Sequence, residues 1–146
     1  MDYKKALYEI EKIIKKSKNV LEDVVEFLYK NFDYYSWVGI YITKDNDLIL
    51  SSWRGPRATG HTKIPIGKGI CGSAAKTGKT EIIADVNSDN RYISCFVSTK
   101  SEIVVPIKKS GKIVGEIDID SDVKNAFKRY DKTFLEKVAD MLDEHI

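Results

Sequence analysis

The stretch RYISCFVSTKSEIVVPIKKSGKIVGEIDIDS (residues 91–121) contains two β-branched segments separated by a Lys-Ser-Gly turn, a pattern that predicts a β-hairpin. In its second half, residues 112–120, side chains alternate between the two faces of the expected strand. One face carries apolar residues and a glycine: Ile113, Gly115, Ile117 and Ile119. The other face carries a valine and three acids: Val114, Glu116, Asp118 and Asp120. The hairpin therefore brings an acidic face into an otherwise apolar sheet.

This acidic face has two explanations. Asp118 and Asp120 project to the same side, roughly 7 Å apart at the two-residue repeat of a strand. Aspartate is depleted in strands, and two like charges on one face repel each other, so a solvated sheet face is one explanation. The acids also lie at the end of the strand and close in sequence to Cys95 and Glu102. That proximity favours a functional site.

The composition is that of one globular domain. The 146 residues are 42% hydrophobic and 32% charged, and 24 basic and 22 acidic residues give a net charge of +2. No long basic stripe is present, so we expect no nucleic-acid partner. The longest apolar runs are about five residues, too short to span a membrane. The N-terminus carries charge throughout and has no signal-peptide core, so we expect a cytoplasmic protein without a membrane partner.

The order of predicted elements indicates an α/β (α+β) fold. Two amphipathic helices are expected within residues 1–30, and the sheet and catalytic core within residues 36–146. Strands are expected at residues 36–43, 48–53, 63–66, 80–84, 103–107 and 112–119, and further helices at 73–77 and 131–145. This order implies a central antiparallel sheet flanked by helices. The two N-terminal helices could also supply a homodimer contact.

The sequence gives no sign of a metal or a cofactor. His61 and His145 are far apart and have no metal-ligand spacing with either cysteine, so no metal site is expected. The glycine-rich turn at residues 67–69 lacks both the dinucleotide fingerprint and the Walker spacing. A simple strand-to-helix turn is favoured there, and no cofactor is expected.

The two cysteines differ in their local surroundings. Cys71 follows a glycine-rich turn at a predicted helix N-terminus near Lys68, and both features favour its thiolate. A small, buried, inert thiol is the alternative. Cys95 lies in a predicted loop, where Arg91 could lower its pKa if that side chain turns inward. Local sequence alone does not rank the two as nucleophiles.

Aromatic side chains line one face of the first predicted strand. Trp37, Gly39 and Tyr41 alternate along it, so they share that face. Two aromatics flanking a glycine could frame a small ligand pocket, although core packing is the default explanation of such a stripe.

Four motifs, in order and with matching spacing, resemble the free methionine-(R)-sulfoxide reductases, which are small enzymes built on a GAF domain. They are WVGIY (37–41), IPIGKGICGSAA (64–75), SEIVVPI (101–107) and GEIDIDS (115–121). The resemblance covers about residues 20–146, and its most specific part is a cysteine seven residues before Glu102 combined with the DIDS sequence. It implies a single GAF-like domain over residues 1–146.

The resemblance also implies roles for individual residues. It makes Cys95 the catalytic nucleophile. The acids around the sulfoxide would be Glu102, Asp118 and Asp120, and the pocket walls Trp37 and Tyr41. Crowded carboxyls retain a proton near neutral pH, so a protonated Glu102 or Asp120 could act as general acid.

Recycling is the step at which this chain departs from the family pattern. Many members carry a third cysteine ten residues before the position of Cys71, and that cysteine commonly resolves the oxidised nucleophile. This chain has His61 there. We therefore expect Cys71 to attack a Cys95 sulfenic acid, the alternative being direct attack by an external thiol. Thioredoxin or a similar dithiol would then restore the enzyme.

The resemblance leaves two functions to compare. The favoured one is reduction of free methionine-(R)-sulfoxide to methionine by thiolate attack. The alternative is a GAF-type module that binds a small ligand or senses redox state without turnover.

Overall fold

The computed structural model describes residues 1–94 and 96–146. Four helices and six strands make up the fold. The helices are α1 (Tyr3–Lys16), α2 (Val20–Asn31), α3 (Gly69–Thr77) and α4 (Arg129–Leu142). The strands are β1 (Trp37–Lys44), β2 (Asp47–Arg54), β3 (Lys63–Pro65), β4 (Glu81–Ile83), β5 (Ser101–Lys109) and β6 (Lys112–Ser121). Single 3-10 turns follow β4 and α4, at Val86–Ser88 and Asp143–His145.

The strands form one sheet in the order β3-β2-β1-β6-β5-β4, and every neighbouring pair is antiparallel. The predicted antiparallel sheet flanked by helices, an α+β fold, is therefore confirmed. Strand β6 lies between β1 and β5 near the middle of this sheet. The acids that it carries consequently have neighbouring strands on both sides.

The main hydrophobic core lies between one face of the sheet and helices α1, α2 and α4. Its sheet side includes Ile117 and Ile119 of β6, and both are fully buried. The helices contribute the apolar stripes expected from their sequence, for example Ile10 of α1 and Leu28 of α2. No helix among residues 1–94 and 96–146 is long and apolar enough to cross a membrane.

A second, smaller core lies on the opposite face of the sheet, beneath α3. Trp37 and Tyr41 of β1, Val104 of β5 and Cys71 of α3 belong to it. Because β6 alternates, its acids point to this side while its isoleucines point to the main core. The candidate site therefore lies between the sheet and α3.

The predicted alternation of β6 holds only from Gly115 onwards. Ile107 pairs with Gly115 and Lys108 pairs with Ile113, so Val114 is an extra residue that forms a bulge. Val114 packs against the main core, whereas Ile113 packs against the smaller one. The faces predicted for these two residues were wrong, because a bulge reverses the alternation on one side of it.

Helix α3 begins at Gly69, four residues earlier than the sequence predicted. Gly67 and Gly69 have φ angles of 95° and 69°, which glycine adopts without strain, so the turn leads directly into the helix. A Cβ on Gly72 would lie 2.6 Å from the Pro65 carbonyl oxygen, which shows how closely the helix approaches β3. Cys71 consequently lies in the first turn of α3.

A buried carboxylate ties both ends of the chain together. Asp131, in the first turn of α4, is 1% exposed. Its Oδ1 accepts hydrogen bonds from Tyr3 (3.1 Å), Tyr34 (2.5 Å) and Tyr35 (2.9 Å), and its Oδ2 accepts one from the Lys128 backbone N–H (2.9 Å). All of these donors come from α1, from the segment before β1, or from the start of α4.

Candidate active site

Strand β6 buries its acids. Glu116, Asp118 and Asp120 are 0%, 5% and 4% exposed, although they share one face of the strand. In the sheet, Asp118 is paired with Gly39 of β1 and Val104 of β5. A solvated sheet face is therefore wrong as an explanation of the acidic pattern.

Glu102 joins these acids from the neighbouring strand. It is the direct cross-strand partner of Asp120 and is 5% exposed. From α3 above the sheet, the Cys71 thiol donates to Glu102 Oε2 at 3.8 Å. The Sγ atom of Cys71 and one carboxylate oxygen from each of Glu102 and Asp118 all lie within 4.8 Å of one another. Residues predicted from three separate motifs are thus brought together.

A pocket opens above these groups. It has about 360 Å³ of empty space, including its opening. Its walls include ionisable side chains from separate parts of the chain: Tyr41, His61, Cys71, Tyr92, Glu102, Asp118 and Asp120. The Tyr41 hydroxyl donates to the His61 carbonyl oxygen at 2.7 Å, which fixes the loop at the mouth. Tyr41 thus lies where a pocket wall was predicted.

Trp37 lies in an adjoining cavity rather than in this pocket. Its ring covers Gly39, stacks on Trp53 with centroids 6.3 Å apart, and lies 6.1 Å from the ring of Phe96. The adjoining cavity shares Asp120 with the pocket. Trp37 and Tyr41 occupy the same face of β1, as predicted, but they line different cavities.

Cys95, the predicted nucleophile, lies outside the described residues. Its chain neighbours contact the pocket rim. The His61 ring Nε2 lies 3.2 Å from the Ser94 carbonyl oxygen, so this nitrogen must carry a proton to donate. Phe96 packs against Trp37 on the other side.

Burial governs the ionisation of the acids on β6. It raises the pKa of Asp118, although hydrogen bonding from Glu102 and Cys71 opposes the shift. Burial and the Asp118 carboxyl raise the pKa of Asp120 well above its usual range, and the same two causes act on the pKa of Glu116. The group therefore retains protons at pH values where exposed carboxyls are ionised.

The pKa of Cys71 moves in the direction opposite to the one predicted. Burial raises it well above its ordinary value, and the carboxyls of Asp118, Glu116, Glu102 and Asp120 raise it further. The sequence argument considered the helix N-terminus and Lys68. It could not count the four acids that the sheet places opposite the thiol. The resting side chain is a thiol.

Glu116 was predicted on the acidic face but given no role. Both of its carboxyl oxygens lack a hydrogen-bond partner among the described residues, as do Oδ1 of Asp118 and Oδ1 of Asp120. A buried polar atom without a partner is costly and points to a missing ligand or proton. Alternation alone could have signalled the position of Glu116, but its complete burial depends on α3.

The comparison with known proteins identifies the family. A profile of the GAF domain family matches residues 18–146. The free methionine-R-sulfoxide reductase of Escherichia coli (strain K12) is 32% identical to this chain over 124 residues, which make up 85% of this chain and 74% of that protein. The chain belongs to the free methionine-R-sulfoxide reductase family of GAF-domain proteins.

Solved structures of free methionine-R-sulfoxide reductases have the same fold. The enzyme of Neisseria meningitidis in complex with its substrate is 31% identical, with a TM-score of 0.91, over 97% of this chain and 86% of that one. The type II enzyme of Thermoplasma acidophilum is 35% identical, with a TM-score of 0.85, over 90% of this chain and 93% of that one. The family and the fold predicted from the motifs are therefore confirmed.

Proposed function

We propose that this chain reduces free methionine-R-sulfoxide to methionine, with Cys95 as the nucleophile. The observation that carries the proposal is the cluster of Glu102, Asp118 and Asp120, which are buried together below a small pocket. Residues 1–146 act in this proposal as one GAF domain. The relatives described above support the substrate.

The carboxyls suit a free amino acid. A free methionine sulfoxide carries an ammonium group, which requires anionic or neutral oxygen acceptors when it leaves water. Oδ1 of Asp118 and Oδ1 of Asp120 lack hydrogen-bond partners among the described residues and are available for this role. Tyr41 supplies an apolar wall for the side chain. Selection for a free rather than a peptide-bound substrate follows, because a peptide nitrogen has no such charge.

The same acids supply protons to the sulfoxide oxygen. Reduction breaks the S=O bond of the substrate. The oxygen is transferred to the Cys95 sulfur, which becomes a sulfenic acid, and methionine leaves with its sulfur as a thioether. The developing negative charge on oxygen needs a proton donor. A carboxyl with a raised pKa, such as Asp120 beside Glu102, retains that proton near neutral pH and acts as general acid.

Recycling then needs a second thiol. A thiol attacks the sulfenic acid, a disulfide forms, and one water leaves; a dithiol such as thioredoxin returns Cys95 to its thiol by exchange. The sequence favoured Cys71 as the second thiol. Its burial and the carboxyls around it instead support direct attack by the external dithiol, because only a thiolate is an efficient nucleophile. Cytoplasmic location and homodimer formation stay predictions.

A ligand-binding or redox-sensing GAF module is the alternative function. It would use the pocket without turnover. The raised pKa values of the acids favour the enzyme, because binding an ammonium group needs only oxygen acceptors, whereas reducing a sulfoxide also needs a carboxyl that keeps its proton.

The deciding experiment measures consumption of a reduced dithiol with the separated R and S forms of free methionine sulfoxide. We expect turnover of the R form by the wild type and its loss in Cys95→Ser, since a serine hydroxyl is a far poorer nucleophile. Cys71→Ser is the matched control for thiol removal. Binding of the R form without dithiol consumption would support the sensor, and turnover by Cys95→Ser would move the nucleophile elsewhere.

A further inference from the structure

Cys71, Glu102 and Asp118 form a thiol–carboxylate cluster, as defined by their three donor atoms within 4.8 Å of one another. All three side chains are buried. They come from α3, β5 and β6, so no short sequence spacing could reveal them as a set. The expectation of no metal site considered only histidine spacing and did not test this combination.

The donor spacing is close to that of a metal site. In tetrahedral zinc sites the metal lies about 2.3 Å from sulfur and about 2.0–2.2 Å from carboxylate oxygen, which places those two donors roughly 3.5 Å apart. Cys71 Sγ and Glu102 Oε2 are 3.8 Å apart. A shift of a few tenths of an ångström, within the reach of side-chain rotation, would let both coordinate one ion.

Unsatisfied buried oxygens provide a second, independent observation. Asp118 and Asp120 each have one Oδ1 without a hydrogen-bond partner among the described residues, and both residues are at least 95% buried. Glu116, fully buried on the same face of β6, has two such oxygens. None of these three acids forms an ion pair with a described lysine or arginine. Among the described residues, Glu116, Asp118 and Asp120 thus present buried acceptor oxygens to which no lysine or arginine is paired.

We propose that the thiol–carboxylate cluster binds a thiophilic divalent cation of the Zn²⁺ or Cd²⁺ class. Cys71 would lose its proton to solvent and bind as a thiolate, with Glu102 and Asp118 as oxygen ligands. Asp120 lies one β-strand repeat from Asp118 and has a further oxygen without a hydrogen-bond partner among the described residues. The burial of Cys71 is compatible with a role as a metal ligand, whereas it disfavours attack on a sulfenic acid.

Metal binding would inhibit the proposed reductase. This consequence rests on the proposed function, because Glu102 and Asp118 are then occupied by the metal and cannot hold the substrate or supply its protons. The cation and free methionine sulfoxide should therefore exclude one another.

The first test uses Co²⁺ as a spectroscopic substitute for Zn²⁺, with the full chain kept reduced by a phosphine rather than by a metal-binding dithiol. We expect a near-ultraviolet thiolate-to-cobalt band in the wild type and in Cys95→Ser. Cys71→Ser should lose the band. Asp118→Asn should weaken binding at least 10-fold, because even indirect partners of a metal ligand are typically worth 10–100-fold. Asp140→Asn, at an exposed acid of α4 outside the cluster, is the control.

Two results would overturn the proposal. One is the absence of the band at millimolar Co²⁺ in a folded wild-type protein. The other is a band that survives in Cys71→Ser but disappears in Cys95→Ser, which would place the ion at the other cysteine. Neither readout requires turnover, so both are separate from the test of the reductase.

The second test is competition. We expect free methionine-R-sulfoxide to lower the apparent Co²⁺ affinity of the wild type, and Zn²⁺ to raise the apparent KM. If saturating sulfoxide left the cobalt band unchanged, the metal site would be supported, but its overlap with the substrate site would be contradicted. An unaffected band in a protein that also shows no reductase activity would count against the proposed function alone.

Discussion

Glu102 of β5 and Asp120 of β6 are direct cross-strand partners, so two carboxyl groups lie opposite one another in a buried part of the sheet. Like charges directly opposite one another destabilise a sheet. The arrangement persists because at least one of the pair keeps its proton: burial and the neighbouring Asp118 carboxyl raise the pKa of Asp120. The proton that this pair keeps is the one that the proposed reaction uses.

Removing either acid should slow the reaction. Glu102→Gln and Asp120→Asn keep the shape of the side chain but cannot supply a carboxyl proton, and loss of a general acid typically costs ~10²–10⁴-fold. We expect lower kcat and an altered pH profile in steady-state assays with free methionine-R-sulfoxide. Asp140→Asn, at an exposed acid of α4 outside the pocket, should retain activity. If both test variants kept the full rate across pH, these acids would only position the substrate and would not supply its proton.

The buried acids should make the protein less stable as pH rises. Burial raises the pKa of Glu116, whereas in the unfolded chain glutamate ionises near ~4.3. Above that pH the unfolded state loses a proton that the folded state keeps, so the free energy of unfolding falls until the folded pKa is reached. We expect Glu116→Gln to raise Tm more at pH 8 than at pH 5.

Thermal unfolding at the two pH values measures this effect. For a chain of this size a change of ~1 kcal/mol shifts Tm by roughly 2–4 °C. Glu11→Gln, at an exposed position of α1, is the control and should change Tm little at either pH. An equal Tm difference for Glu116→Gln at both pH values would contradict a raised pKa.

The glycine under Trp37 should resist substitution. A Cβ on Gly39 would lie 2.3 Å from Cη2 and 2.6 Å from Cζ3 of the Trp37 ring, so Gly39→Ala must displace the indole. Overpacking of this kind typically costs 1–3 kcal/mol. We expect a lower Tm, altered tryptophan fluorescence and a higher KM, because the cavity behind Asp120 is reshaped.

Gly60 offers a matched comparison. A Cβ there would have no described atom within 4 Å, and its φ angle needs no glycine. Gly60→Ala should therefore leave Tm and fluorescence close to the wild type. Equal Tm values for the two alanine variants would contradict the close contact between Gly39 and the Trp37 ring.

Cys71 should be dispensable for recycling. Because burial and four nearby carboxyls raise its pKa, the thiol is a poor nucleophile, and Cys71→Ser should keep most of the thioredoxin-dependent rate. The check is a coupled assay, together with mass spectrometry of the wild type after one equivalent of sulfoxide. A peptide in which Cys71 is linked to Cys95, combined with failure of Cys71→Ser to cycle, would establish internal resolution instead.

Alternation in the sequence was enough to predict much of the site. It assigned Asp118 and Asp120 to one face of a strand, and Trp37 and Tyr41 to one face of another, because side-chain direction in a strand is a local property. The family motifs added Glu102. The pairing of Glu102 with Asp120 was not predictable from pattern, since the register of a hairpin depends on its turn and on the bulge at Val114.

Two errors about α3 have different physical causes. The pKa of Cys71 was judged from its own helix, but burial and four acids from β5 and β6 raise it. The start of α3 was placed too late because Gly67 and Gly69 are read as helix breakers, whereas their positive φ angles form the turn that begins the helix. The first error concerns how separate elements meet, and that information is absent from any short window of sequence. The second concerns a local backbone conformation, of which glycine can adopt more than one.

The three tyrosines on Asp131 have a consequence for how the protein opens. Terminal helices of a domain usually fray first, and their amide protons exchange with solvent early. Here α1 cannot separate from α4 without removing the Tyr3 hydroxyl from a carboxylate that is 1% exposed, in the first turn of α4. The first and last helices should therefore open as one cooperative unit, and their amide protons should exchange with a common free energy.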